Sequence, residues 1–174
     1  MLAPLFTLLF AAAACTGSLY LSLGMGLKAC PLCFYQRTFA FSLVAVLLVG
    51  LSAGLRGRVN LLALPLAIGG ATVAGFHVYL VTVGKLECPA GIAGISTAPH
   101  QSLAAYVLIL LPILYGVFVE SRGECLKPLP LLVALTVGGA AGYGSLLANP
   151  LATQATAPTQ DGEQLESCRV PFKG

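Results

Sequence analysis

Residues 30–37 read CPLCFYQR. Two cysteines flank a Pro-Leu pair, an aromatic pair follows, and Arg37 closes the stretch at the edge of an uncharged run from Thr38 to Leu55. Pro31 suits the first position of a helix, where its missing N–H costs nothing and its φ is already helical. The stretch therefore reads as the entry to an apolar helix, and the rest of the chain can be placed around it.

On either side lie further runs of the same kind. Met1 to Leu27 carries no charged side chain, Val59 to Gly84 is interrupted only by Asn60 and His77, and Leu103 to Val119 and Leu129 to Asn149 complete the series. A membrane-spanning helix needs about 20 mostly apolar residues. The runs predict five helices, near 2–27, 34–55, 59–84, 101–120 and 129–149. They form a single transmembrane bundle over residues 1–149, in which short connections make sequence neighbours antiparallel.

Composition agrees. The 174 residues are 57% hydrophobic and 9% charged, with a mean hydropathy of +0.91, whereas soluble domains carry about 25% charged residues. A net charge of +3 gives no footprint for nucleic acid, which is not expected as a partner. The expected surroundings are membrane lipid. The N-terminal run lacks the basic region of a signal peptide and continues past Cys15, so an uncleaved first helix is expected.

Pro65 and Pro112 are expected to kink their helices rather than end them. Gly69, Gly70, Gly138, Gly139 and Gly142 offer either close helix contacts or ordinary small positions. Residues 150–174 form a polar tail, ATQATAPTQDGEQLES, that reads as flexible but ends in SCRVPF.

Chemistry concentrates at the opening stretch. Cys33 would lie in the first turn of its helix, where free N–H groups and the dipole favour an anion. Both a helix N-terminus and a CxxC arrangement lower a thiol pKa. Arg37 lies one turn further on the same face, as a cation beside the sulfur or as a snorkelling anchor. CxxC is also half of a zinc site. The remaining candidates, His77, Cys88, His100 and Cys168, contain no second tight pair, so a redox dithiol is preferred and no metal is expected.

CPLCFYQR after a first apolar helix, together with FHVYLVTVGKLECPAG at residues 76–91, resembles the disulfide bond formation protein B (DsbB) family. The resemblance implies an all-α membrane protein, a four-helix antiparallel bundle, here extended by a fifth transmembrane helix. Such proteins reoxidise a DsbA-like thioredoxin-fold partner and pass electrons to a membrane quinone, ubiquinone or menaquinone. It implies Cys30 and Cys33 as the quinone-proximal pair, with Arg37 and His77 on the quinone side; His77 could equally be a satisfied buried histidine. Cys88 matches the first cysteine of the family's second external loop. The family's second loop cysteine is missing, since residues 85–99 contain Cys88 alone.

If CPLC faces an oxidising compartment, the helix count puts Cys88 and Cys168 outside and Cys125 inside. Cys168 is then the expected partner of Cys88, unless it is an incidental tail cysteine. The expected location is the bacterial cytoplasmic membrane, with CxxC and tail extracytoplasmic. The rival reading is a non-enzymatic membrane subunit with structural cysteines.

Overall fold

A computed structural model describes residues 2–55, 58–120, 128–147 and 165–171. The chain is all-α: α1 Ala3–Leu19, α2 Pro31–Ser52, α3 Val59–Thr82, α4 Ala98–Glu120 and α5 Pro128–Leu147. Among the described residues, only two isolated β-bridges depart from helices and turns.

Four spans are long and apolar enough to cross a membrane: Ala3–Gly24, Pro31–Ser52, Val59–Thr82 and Ala98–Val119. The apolar stretch of α5, Leu131–Leu147, is shorter, although α5 as a whole has 20 residues, about 30 Å at 1.5 Å per residue. α1 to α4 close a ring in which α1 packs on α2 and α4, and α3 on α2 and α4. α5 lies outside this ring against α3, making α3 the central helix.

Packing in lipid relies on small residues and hydrogen bonds more than on apolar burial. The α3–α5 contact shows this. A β-carbon on Gly138 would come to 2.6 Å from the Pro65 carbonyl oxygen, and one on Gly142 to 2.9 Å from Thr72 Cβ. These two glycines are close-contact positions, whereas a β-carbon on Gly139 would meet nothing within 4 Å. Pro65 and Pro112 lie inside α3 and α4, which continue through them.

The helix boundaries differ from the sequence reading at functional ends. α1 stops at Leu19 and continues as one π-helical turn, Tyr20–Gly24, before the chain leaves helical geometry near Gly26, at φ +69°. α2 begins at Pro31, as the reading of Pro31 as a helix start expects and three residues before the apolar run counted from 34, with Cys30 in extended geometry (φ −70°, ψ 164°) capping it. α4 begins at Ala98, three residues before the expected position, after Ala90 and Thr97 pair across the preceding loop.

The end of the tail is anchored. Glu87 and Arg169 exchange two backbone hydrogen bonds, at 2.8 and 2.9 Å, and Lys28 N–H donates to the Glu166 carbonyl at 2.8 Å. Val170 packs in the cluster built around Leu32, Val73 and Leu86. Phe172, the other apolar residue expected to dock, and Cys125 lie outside the described residues.

Candidate functional site

Four cysteines from three parts of the chain meet at one end of the bundle. Cys30 and Cys33 come from the start of α2, Cys88 from the loop after α3, and Cys168 from the tail. Cys88 and Cys168 are joined in a disulfide, while Cys30 and Cys33 are free thiols. The Glu87–Arg169 bridge places the adjacent residues 88 and 168 opposite each other.

At the centre stands His77, fully buried on α3. Its Nε2 is 3.4 Å from Cys88 Sγ, 3.4 Å from Cys168 Sγ and 3.9 Å from Cys30 Sγ. Its Nδ1 lies 3.2 Å from Gln36 Nε2, and Gln36 Oε1 accepts a hydrogen bond from Ser102 Oγ at 2.6 Å. Tyr106 donates its hydroxyl to the Gln36 carbonyl at 2.6 Å, fixing that turn of α2 against α4. One ring nitrogen thus faces three sulfurs and the other an amide.

The Cys30 sulfur caps α2, accepting the Cys33 N–H at 3.3 Å, and the two sulfurs share a hydrogen bond at 2.9 Å. The hydrogen bond from Cys33 is the main reason the Cys30 thiol falls to about 5; burial opposes the shift, while His77 and the Cys33 N–H assist it. This corrects the expected placement of the anion. The anion falls at Cys30 rather than Cys33 chiefly because the Cys33 side chain hydrogen-bonds to it, with the N–H received by the capping residue adding a smaller share.

Cys33 has a different exposure: it lines a cavity of about 320 Å³ between α1, α2 and α4. Arg37, Ser18 and Ser102 form its polar end, with Cys168 also in the wall, and Phe10 and Leu108 lie toward the apolar end. From Ser18 to Phe10 is eight residues of α1, about 12 Å along the helix axis. Pro89 and Ile92 cover the outer end, in a loop held by Gln101, whose side chain bonds both the N–H and the carbonyl of Ile92.

Arg37 is oriented by α1. Its Nε donates to Ser18 Oγ at 2.9 Å, and its Nη2 donates to the Ser18 carbonyl at 2.9 Å and to Ser22 Oγ at 2.7 Å. The π-helical turn carries Ser22 to this position. Among the described residues no carboxylate pairs with the guanidinium: Glu166 pairs with Lys28 at 2.8 Å and Glu87 lies 3.8 Å from Arg169. Lys28 and Glu166 are exposed, so the ion pair raises the lysine and lowers the glutamate, yet a solvated pair contributes little to docking.

The fit to a quinone can be tested on these residues. An apolar slot suits a prenyl chain. A cation without a carboxylate and a hydroxyl at its end suit a neutral dicarbonyl head, and a thiol stands in the wall. Arg37 and Cys33 line that slot, but His77 does not; it sits behind Cys33, among the sulfurs. Gln36, Ser18, Ser22, Ser102 and Tyr106 were not singled out by the sequence reading. The available signals were Ser18 and Ser22 four residues apart in an uncharged run, and Gln36 beside Arg37.

Residues 2–107 match the family model described as "Disulfide bond formation protein DsbB". The chain is 35% identical to disulfide bond formation protein B of Ralstonia nicotianae over 69% of this chain and 70% of that one. It is 38% identical to disulfide bond formation protein B 1 of Pseudomonas aeruginosa, over 53% of this chain and 61% of that protein. It is 36% identical to disulfide bond formation protein B of Methylococcus capsulatus over 51% of this chain and 56% of that one. No solved structure matches the chain. The matched region carries the CxxC, Arg37, His77 and Cys88, and the chain is a multi-pass membrane protein that belongs to the DsbB family.

Proposed function

We propose that the protein is a membrane thiol:quinone oxidoreductase that reoxidises a DsbA-like thioredoxin-fold partner outside the cytoplasm. The observation that carries this reading is the line from the Cys88–Cys168 disulfide, through His77, to Cys30 and then to Cys33 in the cavity wall.

A thiolate of the reduced partner attacks Cys88, forming a mixed disulfide and releasing Cys168 as a thiolate. The partner's second thiolate then attacks the mixed disulfide, leaving the partner oxidised and Cys88 reduced. Cys168, beside the CxxC, attacks Cys30 of an oxidised Cys30–Cys33 pair and releases Cys33. Cys88 attacks Cys168 in turn, restoring the Cys88–Cys168 disulfide and leaving Cys30 as thiolate. Two electrons have moved inward, and the arrangement reached is the one described above, with the outer pair oxidised and the inner pair reduced.

His77 Nε2, facing three sulfurs, stabilises whichever thiolate leaves and holds or returns its proton. A bound quinone would accept two electrons and two protons, becoming a quinol. Cys33 presents its sulfur to the cavity, Cys30 takes up the proton the two share, and Arg37 offers positive charge where negative charge develops. Ser18 and Ser22 hold Arg37, while the apolar wall and the Pro89–Ile92 cover exclude water.

The test is turnover. The purified protein in lipid, given a reduced thioredoxin-fold dithiol protein and a short-chain quinone, should form one quinol per disulfide made. No quinol, with a Cys30–Cys33 bond that resists dithiols, would instead mean structural cysteines.

A further inference from the structure

Along the chain CxxC has no second tight pair of donors beside it, but the fold provides one. His77 arrives from α3 and Cys168 from the tail. The Sγ atoms of Cys30, Cys33 and Cys168 and one ring nitrogen of His77 all lie within 4.8 Å of one another.

The separations approach those of a tetrahedral site. With sulfur at about 2.3 Å and nitrogen at about 2.0–2.1 Å from zinc, ligand atoms stand roughly 3.5–3.8 Å apart. His77 Nε2 is 3.4 Å from Cys168 Sγ and 3.9 Å from Cys30 Sγ. The Cys30–Cys33 sulfurs, at 2.9 Å, must open by a little under 1 Å, within reach of a small side-chain rotation.

The imidazole can adopt the required tautomer. A metal on Nε2 needs the proton on Nδ1, facing an acceptor. Turning over the Gln36 amide presents its oxygen to Nδ1 and its NH₂ to Ser102, whose hydroxyl accepts as readily as it donates. No hydrogen bond is lost. Arg37 and Arg169, near Cys33 and Cys168 in the chain, offset the extra negative charge of three thiolates.

The condition is redox. Cys168 is committed to Cys88, and Cys88 lies outside the set of four. We infer that opening the Cys88–Cys168 disulfide, with Cys30 and Cys33 reduced, creates a site for one thiophilic divalent cation such as Zn²⁺, bound by Cys30, Cys33, Cys168 and His77. Cys30 enters as the thiolate it already is, Cys33 and Cys168 deliver their protons to solvent, four metal–ligand bonds form, and neither sulfur nor metal changes oxidation state. The bound metal holds the sulfurs as ligands and stops thiol–disulfide exchange. The fully reduced protein, formed when electrons enter faster than they leave, is then arrested rather than left with reactive thiols.

This site does not depend on the quinone reading. Metal uptake is measured without quinone, and quinol formation is measured with a chelator present. The probe is Co²⁺ alone, added anaerobically to the detergent-solubilised protein after reductant removal. Fully reduced protein should bind one equivalent, with thiolate-to-cobalt charge transfer and the intense visible bands of a tetrahedral site, and one equivalent of Zn²⁺ should bleach them. Cys88→Ser, which frees Cys168, should bind as well as wild type once its CxxC is reduced. Fully oxidised protein should bind none. Cys168→Ser and His77→Ala should each weaken binding by more than the ~10–100-fold expected from loss of an outer-shell partner. Absence of cobalt binding by reduced wild type and reduced Cys88→Ser would overturn the inference. So would tetrahedral spectra unchanged by both Cys168→Ser and His77→Ala.

Discussion

His77 Nε2 lies 3.4 Å from the sulfur of Cys168, a residue 91 positions later in the chain. The helix that forms the centre of the bundle therefore presents its buried imidazole to a sulfur carried by the tail, and the same nitrogen is equally close to Cys88. This geometry separates exchange between disulfides from electron delivery into the cavity.

The two steps should respond differently to His77→Ala. Transfer from reduced Cys88 and Cys168 to an oxidised Cys30–Cys33 pair should slow by about 10²-fold, the lower range for a positioned acid–base group. Quinone reduction by a CxxC pair already reduced with a small dithiol should change much less. Rapid-mixing measurements started from each redox state distinguish the steps; equal slowing of both would assign His77 to the cavity.

Arg37→Ala should raise KM for quinone by roughly 10- to 100-fold, the equivalent of losing one hydrogen bond from a charged donor, while leaving reduction of Cys30–Cys33 by the partner unchanged. Ser18→Ala should give a smaller rise of the same kind, because it removes one of the three bonds that aim the guanidinium. Ser18→Thr should recover the bond. Steady-state titration with a short-chain quinone reads both, and an unchanged KM for Arg37→Ala removes Arg37 from the site.

Acid should act through Cys30. Its folded pKa is depressed to about 5 from 9.0, so the thiolate persists below the ordinary thiol range and is lost as pH falls through about 5. Alkylation of reduced Cys30 should therefore stay fast from neutral pH to near 5 and then fall. For stability the sign is that of a depressed acid. The contribution is fully present above 9, declines through the window between 9 and 5, and is gone below 5. A dithiol protein alkylated only above pH 8 would contradict the capped thiolate.

Cys168→Ser removes the outer disulfide, so the reduced partner has no disulfide to attack and transfer to the CxxC should fall below detection, while an oxidised partner should be captured by the Cys88 thiol as a mixed disulfide. The CxxC should still be reduced by a small dithiol. Truncation after Ala157 should behave alike. Normal turnover by the truncated protein would show that Cys88 works with Cys30 and Cys33 alone.

Sidedness can be read with a membrane-impermeant thiol reagent applied from outside after reduction. Cys88 and Cys168 should react and Cys125 should not. Labelling of Cys125 would reverse the five-helix topology.

The helices were legible because each is encoded locally, in uncharged runs such as Thr38–Leu55 and in the Pro31 start signal. Arg37 beside Cys33 could be read from one-turn spacing. The location of the anion could not, since it depends on Cys30 adopting the capping geometry. His77 could be placed on α3 but not among the sulfurs, because its rotation toward Cys30 depends on how α2 and α3 pack. The roles of Ser18 and Ser22 were hidden by the π-helical turn, which changes the register that α-helical spacing assumes. The tail read as flexible because its polar composition outweighs Val170, whereas anchoring comes from backbone pairing at Glu87, which composition does not record.

The glycine contact between α3 and α5 also bears on how quickly the outer disulfide can close again. Cys88 and Cys168 are 80 residues apart in the chain, and α5 supplies 20 of the residues between them. With Gly138 and Gly142 seated on α3, the end of α5 at Leu147 stays beside the helix that leads to Cys88. Loop closure costs more the longer the unfixed chain between two points, so this seating raises the local concentration of one sulfur around the other. A bulky residue at Gly138 should therefore lower turnover from a distance, by unseating α5 from α3.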